Sequence, residues 1–196
     1  MKNYFIIFLA LLMLVGVMGG NVEARDEIIF AEGDWPGIWA KNAVATTILD
    51  KIGYNVERKM ISESLIYKGL ADKQLDVFLG SWMPATRKKR EAVKGSIEFL
   101  QTNMEGCIYT MGVPSYVWEA GVKSFNDLNE HADKFDKKMY VGPTGWDSSI
   151  NMSKAIKNDT YNLGDWEAVN SSQSALIAHV KKAMKNKEWV VFVAWK

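Results

Sequence analysis

Three tryptophans in this chain stand at the ends of runs patterned as strands. Trp35 follows Ile28-Ile29-Phe30-Ala31, Trp82 follows Leu75-Asp76-Val77-Phe78-Leu79, and Trp195 follows Val190-Val191-Phe192-Val193-Ala194. An indole face carries negative electrostatic potential, so several rings around one space attract an organic cation. Each contact is worth about 0.5–2 kcal/mol, at the upper end when water is excluded. Methyl groups on a quaternary nitrogen leave the charge weakly hydrated, which suits it to such a site. The ordinary use of tryptophan is packing. The other five, Trp39, Trp118, Trp146, Trp166 and Trp189, are read that way, with Trp39 on the first helix and Trp189 at a strand start.

Other chemistries find little footing. His131 and His179 sit in no catalytic or metal-binding motif, and His179 is read as packed beside an apolar stripe. No Gly-rich phosphate loop and no His/Cys metal spacing occurs, so no cofactor or metal is expected and an exported enzyme is the remote alternative. The single cysteine, Cys107, has no partner for a disulfide and is read as a small buried hydrophobe. With 24 basic and 23 acidic side chains the net charge is +1, which gives no reason to expect a nucleic-acid partner. The run Arg87-Lys88-Lys89-Arg90 is read as a solvated helix face.

Strands and helices must position the tryptophans. A strand at 28–31, apolar residues at helical spacing from Ile38 to Ile52, a strand at 54–60, a helix capped by Ser62 and a strand at 75–79 spell β-α-β-α-β, the pattern of a mostly parallel sheet. A second block follows: a strand at 107–113, a helical stretch at 125–135, a strand at 138–141, a helix at 153–156, a helix at 173–185 and a last strand at 189–194. Ligands of open α/β sheets bind in the crevice beyond the carboxyl ends of strands, which is where Trp35, Trp82 and Trp195 fall. Ahead of all this, Lys2, an apolar run over residues 4–15, glycines 16, 19 and 20, and Val22-Glu23-Ala24 read as a secretory signal over residues 1–24. An uncleaved membrane anchor is the weaker reading. The expected location is outside the cytoplasm, in the periplasm.

The segments Asp76-Val77-Phe78-Leu79-Gly80-Ser81-Trp82-Met83-Pro84, Glu105-Gly106-Cys107-Ile108-Tyr109-Thr110 and Glu188-Trp189-Val190-Val191-Phe192-Val193-Ala194-Trp195-Lys196 resemble the glycine betaine/choline-binding proteins of ABC importers. That resemblance implies a two-lobed α/β fold of the type II periplasmic-binding-protein kind, with lobe 1 over residues 25–104 and lobe 2 over 105–196. It implies an aromatic box for a small quaternary ammonium ligand, falling on Trp35, Trp82, Tyr109 and Trp195, and a membrane permease as partner. In choline-binding members an aspartate stands two residues after the first tryptophan. Gly37 is there instead, with Asp34 adjacent as a weaker substitute. The family also places polar residues of the second lobe in the cleft, within the segment 142–151, which makes Asp147 and Asn151 further candidates. Relatives continue past the final tryptophan and return to the first lobe. The first lobe is therefore expected to be incomplete at its C-terminal end. A nonfunctional or accessory fragment of such a protein is the alternative function, and it predicts apolar surface exposed near residues 189–195.

Overall fold

The computed structural model describes residues 27–196, so the expected signal segment lies outside the described residues. Strand β1 (Glu27–Glu32) runs into helix α1 (Pro36–Lys51), then strand β2 (Asn55–Met60) and helix α2 (Glu63–Ala71). Pro36 opens α1, where its fixed φ suits the first turn and its missing N–H is not needed. Strands β1 and β2 pair in parallel from Glu27 opposite Asn55 to Glu32 opposite Met60. The expected third strand at 75–79 is an extended segment with a single bridge, Val77 to Phe30. It touches β1 through the backbone bond from Ala31 to Val77 and those from Asp76 and Val77 to Ile29. Helix α3 (Arg87–Ala92) then leads out of this half.

The second half holds a four-stranded sheet in the order β3-β6-β4-β5: β3 (Tyr109–Gly112), β4 (Lys138–Gly142), β5 (Glu167–Asn170) and β6 (Val191–Trp195). Strand β6 lies inside this sheet, antiparallel to β3 and parallel to β4. Helices α4 (Ser115–Glu119), α5 (Phe125–Leu128), α6 (Asp147–Lys157) and α7 (Gln173–Asn186) complete the half. Helix α6 starts six residues before the expected 153, and β5 was not expected at all, being four residues long with Glu167 and Asn170 at its ends.

One core cluster fills the second half around Val117, Leu128, Phe135, Met139, Val141 and Leu163. A second joins the halves: Trp35 and Ile38 pack with Trp146, Leu176, Val180, Val190 and Val193. The first half has only a small core of its own, Ala31, Ile66 and Leu75.

Helix α1 keeps the expected stripe only at Ile38, which is buried: Val44, Ile48 and, just past its end, Ile52 are 63%, 56% and 66% exposed, whereas Asn42 and Thr46 are buried. Asn42 is held there by donating its side-chain N–H to the Ala31 carbonyl at 3.0 Å. Tyr54, Met60 and Leu65 extend the exposed apolar surface. The expected exposure near residues 189–195 is not found: Val190, Val191 and Val193 are buried because β6 is an inner strand covered by α7 and the interface core. Cys107 is exposed, contrary to the buried reading, because it precedes β3 rather than lying within it.

Candidate functional site

The halves meet at a pocket lined by Trp35, Glu63, Trp82, Ala85, Tyr109, Trp146, Asp147 and Trp195. All four expected aromatic residues are therefore brought together. Trp35 is the N-cap residue of α1, set in extended conformation directly beyond β1. Trp82 follows the extended segment at 75–79, Tyr109 opens β3, and Trp195 ends β6 directly opposite Tyr109. Trp82 and Tyr109 stand 5.9 Å apart, centroid to centroid, across the junction of the halves.

Trp146 was read as packing and is a fifth wall. It meets Trp35 edge-on at 6.4 Å and Trp195 edge-on at 5.5 Å, tying the two outer indoles into one cluster. The signal for it was available: Trp146 follows β4 just as Trp35 follows β1, so the strand-tip rule applied to it as well.

Glycines make room for these rings. A Cβ on Gly80 would lie 2.7 Å from the Trp35 ring, and one on Gly142 would lie 2.8 Å from the Trp146 ring. Gly142 also has φ +80°, which a side chain rarely adopts. Gly142→Ala is expected to lower stability by about 1–3 kcal/mol through strain and overpacking. It is also expected to tilt Trp146. Denaturant unfolding together with the native tryptophan emission checks both effects.

Polar groups fix the other walls. The Tyr109 hydroxyl donates to Ser148 Oγ at 2.7 Å, and the Ser148 hydroxyl in turn donates to the Val141 carbonyl at 2.7 Å. Burial pushes the Tyr109 phenol up, against the hydrogen bonds from Ser148, so the ring stays neutral and its face electron-rich.

At the pocket's edge Lys89 of α3 reaches from the first half to the second. Its ammonium bonds Glu63 Oε1 at 2.9 Å, the Gly145 carbonyl at 3.1 Å and Asp147 Oδ1 at 3.2 Å. The side chains of Lys89, Glu63 and Asp147 are 18%, 11% and 13% exposed. The solvated-face reading of the basic run therefore fails at Lys89, whose role depends on a fold-back that no local pattern announces. Arg90 also turns inward, placing its guanidinium 3.7 Å above the Phe99 ring.

Among the weaker candidates, Asp147 lines the pocket. Asn151 lies one turn further along α6 and is exposed, and Asp34 is half-buried. Neither is among the pocket-lining residues. His179 stacks on Tyr140 at 3.9 Å, away from the pocket, as a packed residue. No group of three metal-ligating side chains occurs among the described residues.

A family model described as the substrate binding domain of ABC-type glycine betaine transport systems matches residues 26–196. Among solved structures, an ABC-transporter choline-binding protein in complex with choline superposes with a TM-score of 0.85 at 32% identity, over 89% of this chain and 61% of that one. A glycine betaine/L-proline-binding protein (ProX) from Borrelia burgdorferi gives 0.77 at 31% identity, over 87% and 63% of the two chains. Lactococcal OpuAC, complexed with glycine betaine, shares the fold at 23% identity and a TM-score of 0.76, over 88% and 65%. An uncharacterized protein ORF1 of Chromohalobacter salexigens is 38% identical over 122 residues, 61% of this chain and 79% of that protein. The chain thus spans 61–65% of the length of these three solved neighbours. Its mixed α/β fold is that of periplasmic binding proteins, and both the family and the solved neighbours are transport binding proteins. The chain belongs to the family of substrate-binding domains of ABC-type glycine betaine transport systems.

Proposed function

We propose that this chain is the extracytoplasmic solute-binding component of an ABC importer, holding a quaternary ammonium ligand of the glycine betaine/choline type between two lobes, residues 25–104 and 105–196. Closure of the lobes dries the cluster of Trp35, Trp82, Tyr109, Trp146 and Trp195, and a membrane permease receives the ligand. The observation that carries this reading is the convergence of five aromatic side chains from both halves on one pocket that also includes two carboxylates. Rings attract the charge, and the carboxylates add to the attraction. No described helix is long and apolar enough to cross a membrane.

Affinity is expected in the micromolar range, about −8 kcal/mol, from a few cation–π contacts plus burial of the methyl groups. Titration calorimetry with glycine betaine and with choline tests it. Absence of heat with both, on protein that melts cooperatively, would overturn the reading.

The exposed apolar side chains of α1 and the loop after it, Val44, Ile48, Ile52 and Tyr54, favour a second reading, a nonfunctional or accessory fragment that does not hold ligand alone. A monomeric, cooperatively melting chain that binds either ligand would remove that alternative.

A further inference from the structure

The aromatic walls account for attraction to a methylated ammonium, but they do not distinguish a simple cation from a zwitterion. The charged groups at the same pocket can. Glu63 comes from the first turn of α2 and Asp147 from the first turn of α6, so each half contributes one carboxylate to the lining. Lys89 stands between them, donating to Glu63 at 2.9 Å and to the Gly145 carbonyl at 3.1 Å and forming an ion pair with Asp147 at 3.2 Å. The cluster sets two carboxyl groups against one ammonium. Lys89 contacts Glu63 through Oε1 and Asp147 through Oδ1. Among the described residues, no lysine or arginine lines the pocket.

We propose that the Glu63–Lys89–Asp147 cluster sets the pocket one charge negative, and that Glu63 thereby selects a monocationic quaternary ammonium, preferably one bearing a hydroxyl, over a zwitterion bearing a carboxylate. The proposal rests on the quaternary-ammonium reading above and adds the basis of its selectivity. A monocation offsets the excess of carboxyl groups, and its hydroxyl donates to a carboxylate. A ligand carboxylate instead meets two carboxyl groups, with no lysine or arginine among the described lining residues. Burial pushes the Glu63 carboxyl above its ordinary value, and Lys89 opposes this only in part while Asp147 adds to it.

The test is calorimetry with tetramethylammonium, choline and glycine betaine on the full chain and on Glu63→Gln. Glutamine keeps the size of the side chain and an acceptor for Lys89, and a melting curve confirms that the variant is folded. In the native chain the two cations are expected to bind at least about tenfold more tightly than glycine betaine. Glu63→Gln is expected to weaken both cations by about tenfold while leaving glycine betaine unchanged or tighter. Two results would overturn the proposal and leave the quaternary-ammonium reading standing: glycine betaine binding the native chain as tightly as choline, or Glu63→Gln weakening all three alike. If none of the three binds, the reading beneath it falls as well.

Discussion

Replacing Trp35 with alanine is expected to abolish detectable ligand binding and to lower stability by about 3–5 kcal/mol, the range for truncating a buried tryptophan. The two losses have separate causes in one ring. Trp35 belongs to the core cluster that joins the halves, meeting Phe78 at 6.3 Å and Trp146 at 6.4 Å. Its indole fills space that Gly33 and Gly80 leave open, so alanine creates a cavity where the first half has little other core. It also removes one wall of the box and the support behind another, Trp146. Trp195→Ala provides the contrast. Trp195 is only half-buried and ends an inner strand whose buried valines remain, so binding is expected to fall at least about tenfold with a smaller loss of stability. Paired calorimetry and denaturant unfolding on the two variants check the split. Equal stability losses would show that Trp35 does not connect the halves in this way.

Lys89→Met is the second large effect. It removes the ammonium from between Glu63 and Asp147 and cuts a direct tie between the halves. A fully buried pair broken on one side loses about 3–5 kcal/mol. These groups keep some contact with solvent, so about 1–3 kcal/mol is expected.

The pH dependence has a defined sign. Burial, then Asp147, holds the folded-state pKa of Glu63 above its ordinary value, against the pull of Lys89. The contribution of Glu63 to stability is therefore full below its unfolded pKa and is lost as pH rises through the raised folded value. Without Lys89 that folded value rises further, because the group that opposes burial is gone. The deficit of Lys89→Met should be largest near neutrality and shrink in acid, as a proton taken up by Glu63 relieves its repulsion with Asp147. Burial works against the Lys89 charge, but Glu63 and Asp147 together outweigh it and hold the ammonium pKa above the ordinary lysine value. The advantage of the native chain is thus full below the unfolded lysine pKa and fades only as pH rises through the raised one. Urea unfolding of both proteins across pH measures it. A deficit that grows in acid would contradict the cluster's assigned charges. The groups facing Glu63 here are Lys89 from α3 and Asp147 from α6, with Tyr109 of β3 nearby and neutral.

How much of this was legible depended on whether a residue's role was set locally. Trp35, Trp82 and Trp195 could be placed at strand tips from the hydrophobic runs before them, and the pocket contains all three. Tyr109 has no such signal, since a tyrosine opening a strand is usually packing, and it was reached only through the resemblance. Trp146 was grouped with the packing tryptophans, and helix α6, whose first turn follows it, was expected to start only at 153. Ser148, Ser149 and Asn151 hid the helix start by breaking the apolar spacing, yet Ser148 is what holds Tyr109. In α1 the stripe Val44, Ile48 and Ile52 predicted a buried face, but Asn42 takes the sheet side through its bond to Ala31. Lys89 looked like one of four solvated charges. Its partners Glu63 and Asp147 lie 26 and 58 positions away in the chain, beyond the reach of any periodicity.

An organic cation seated in the tryptophan cluster between the halves holds its N-methyl groups against the rings. Intermolecular nuclear Overhauser effects between the N-methyl protons of choline and the protein are expected to give cross-peaks to the indole protons of Trp35, Trp82, Trp146 and Trp195 and to the Tyr109 ring, all lost in Trp35→Ala. Cross-peaks confined to the exposed side chains of α1 and the loop after it, around Val44, Ile48 and Tyr54, would contradict that seating.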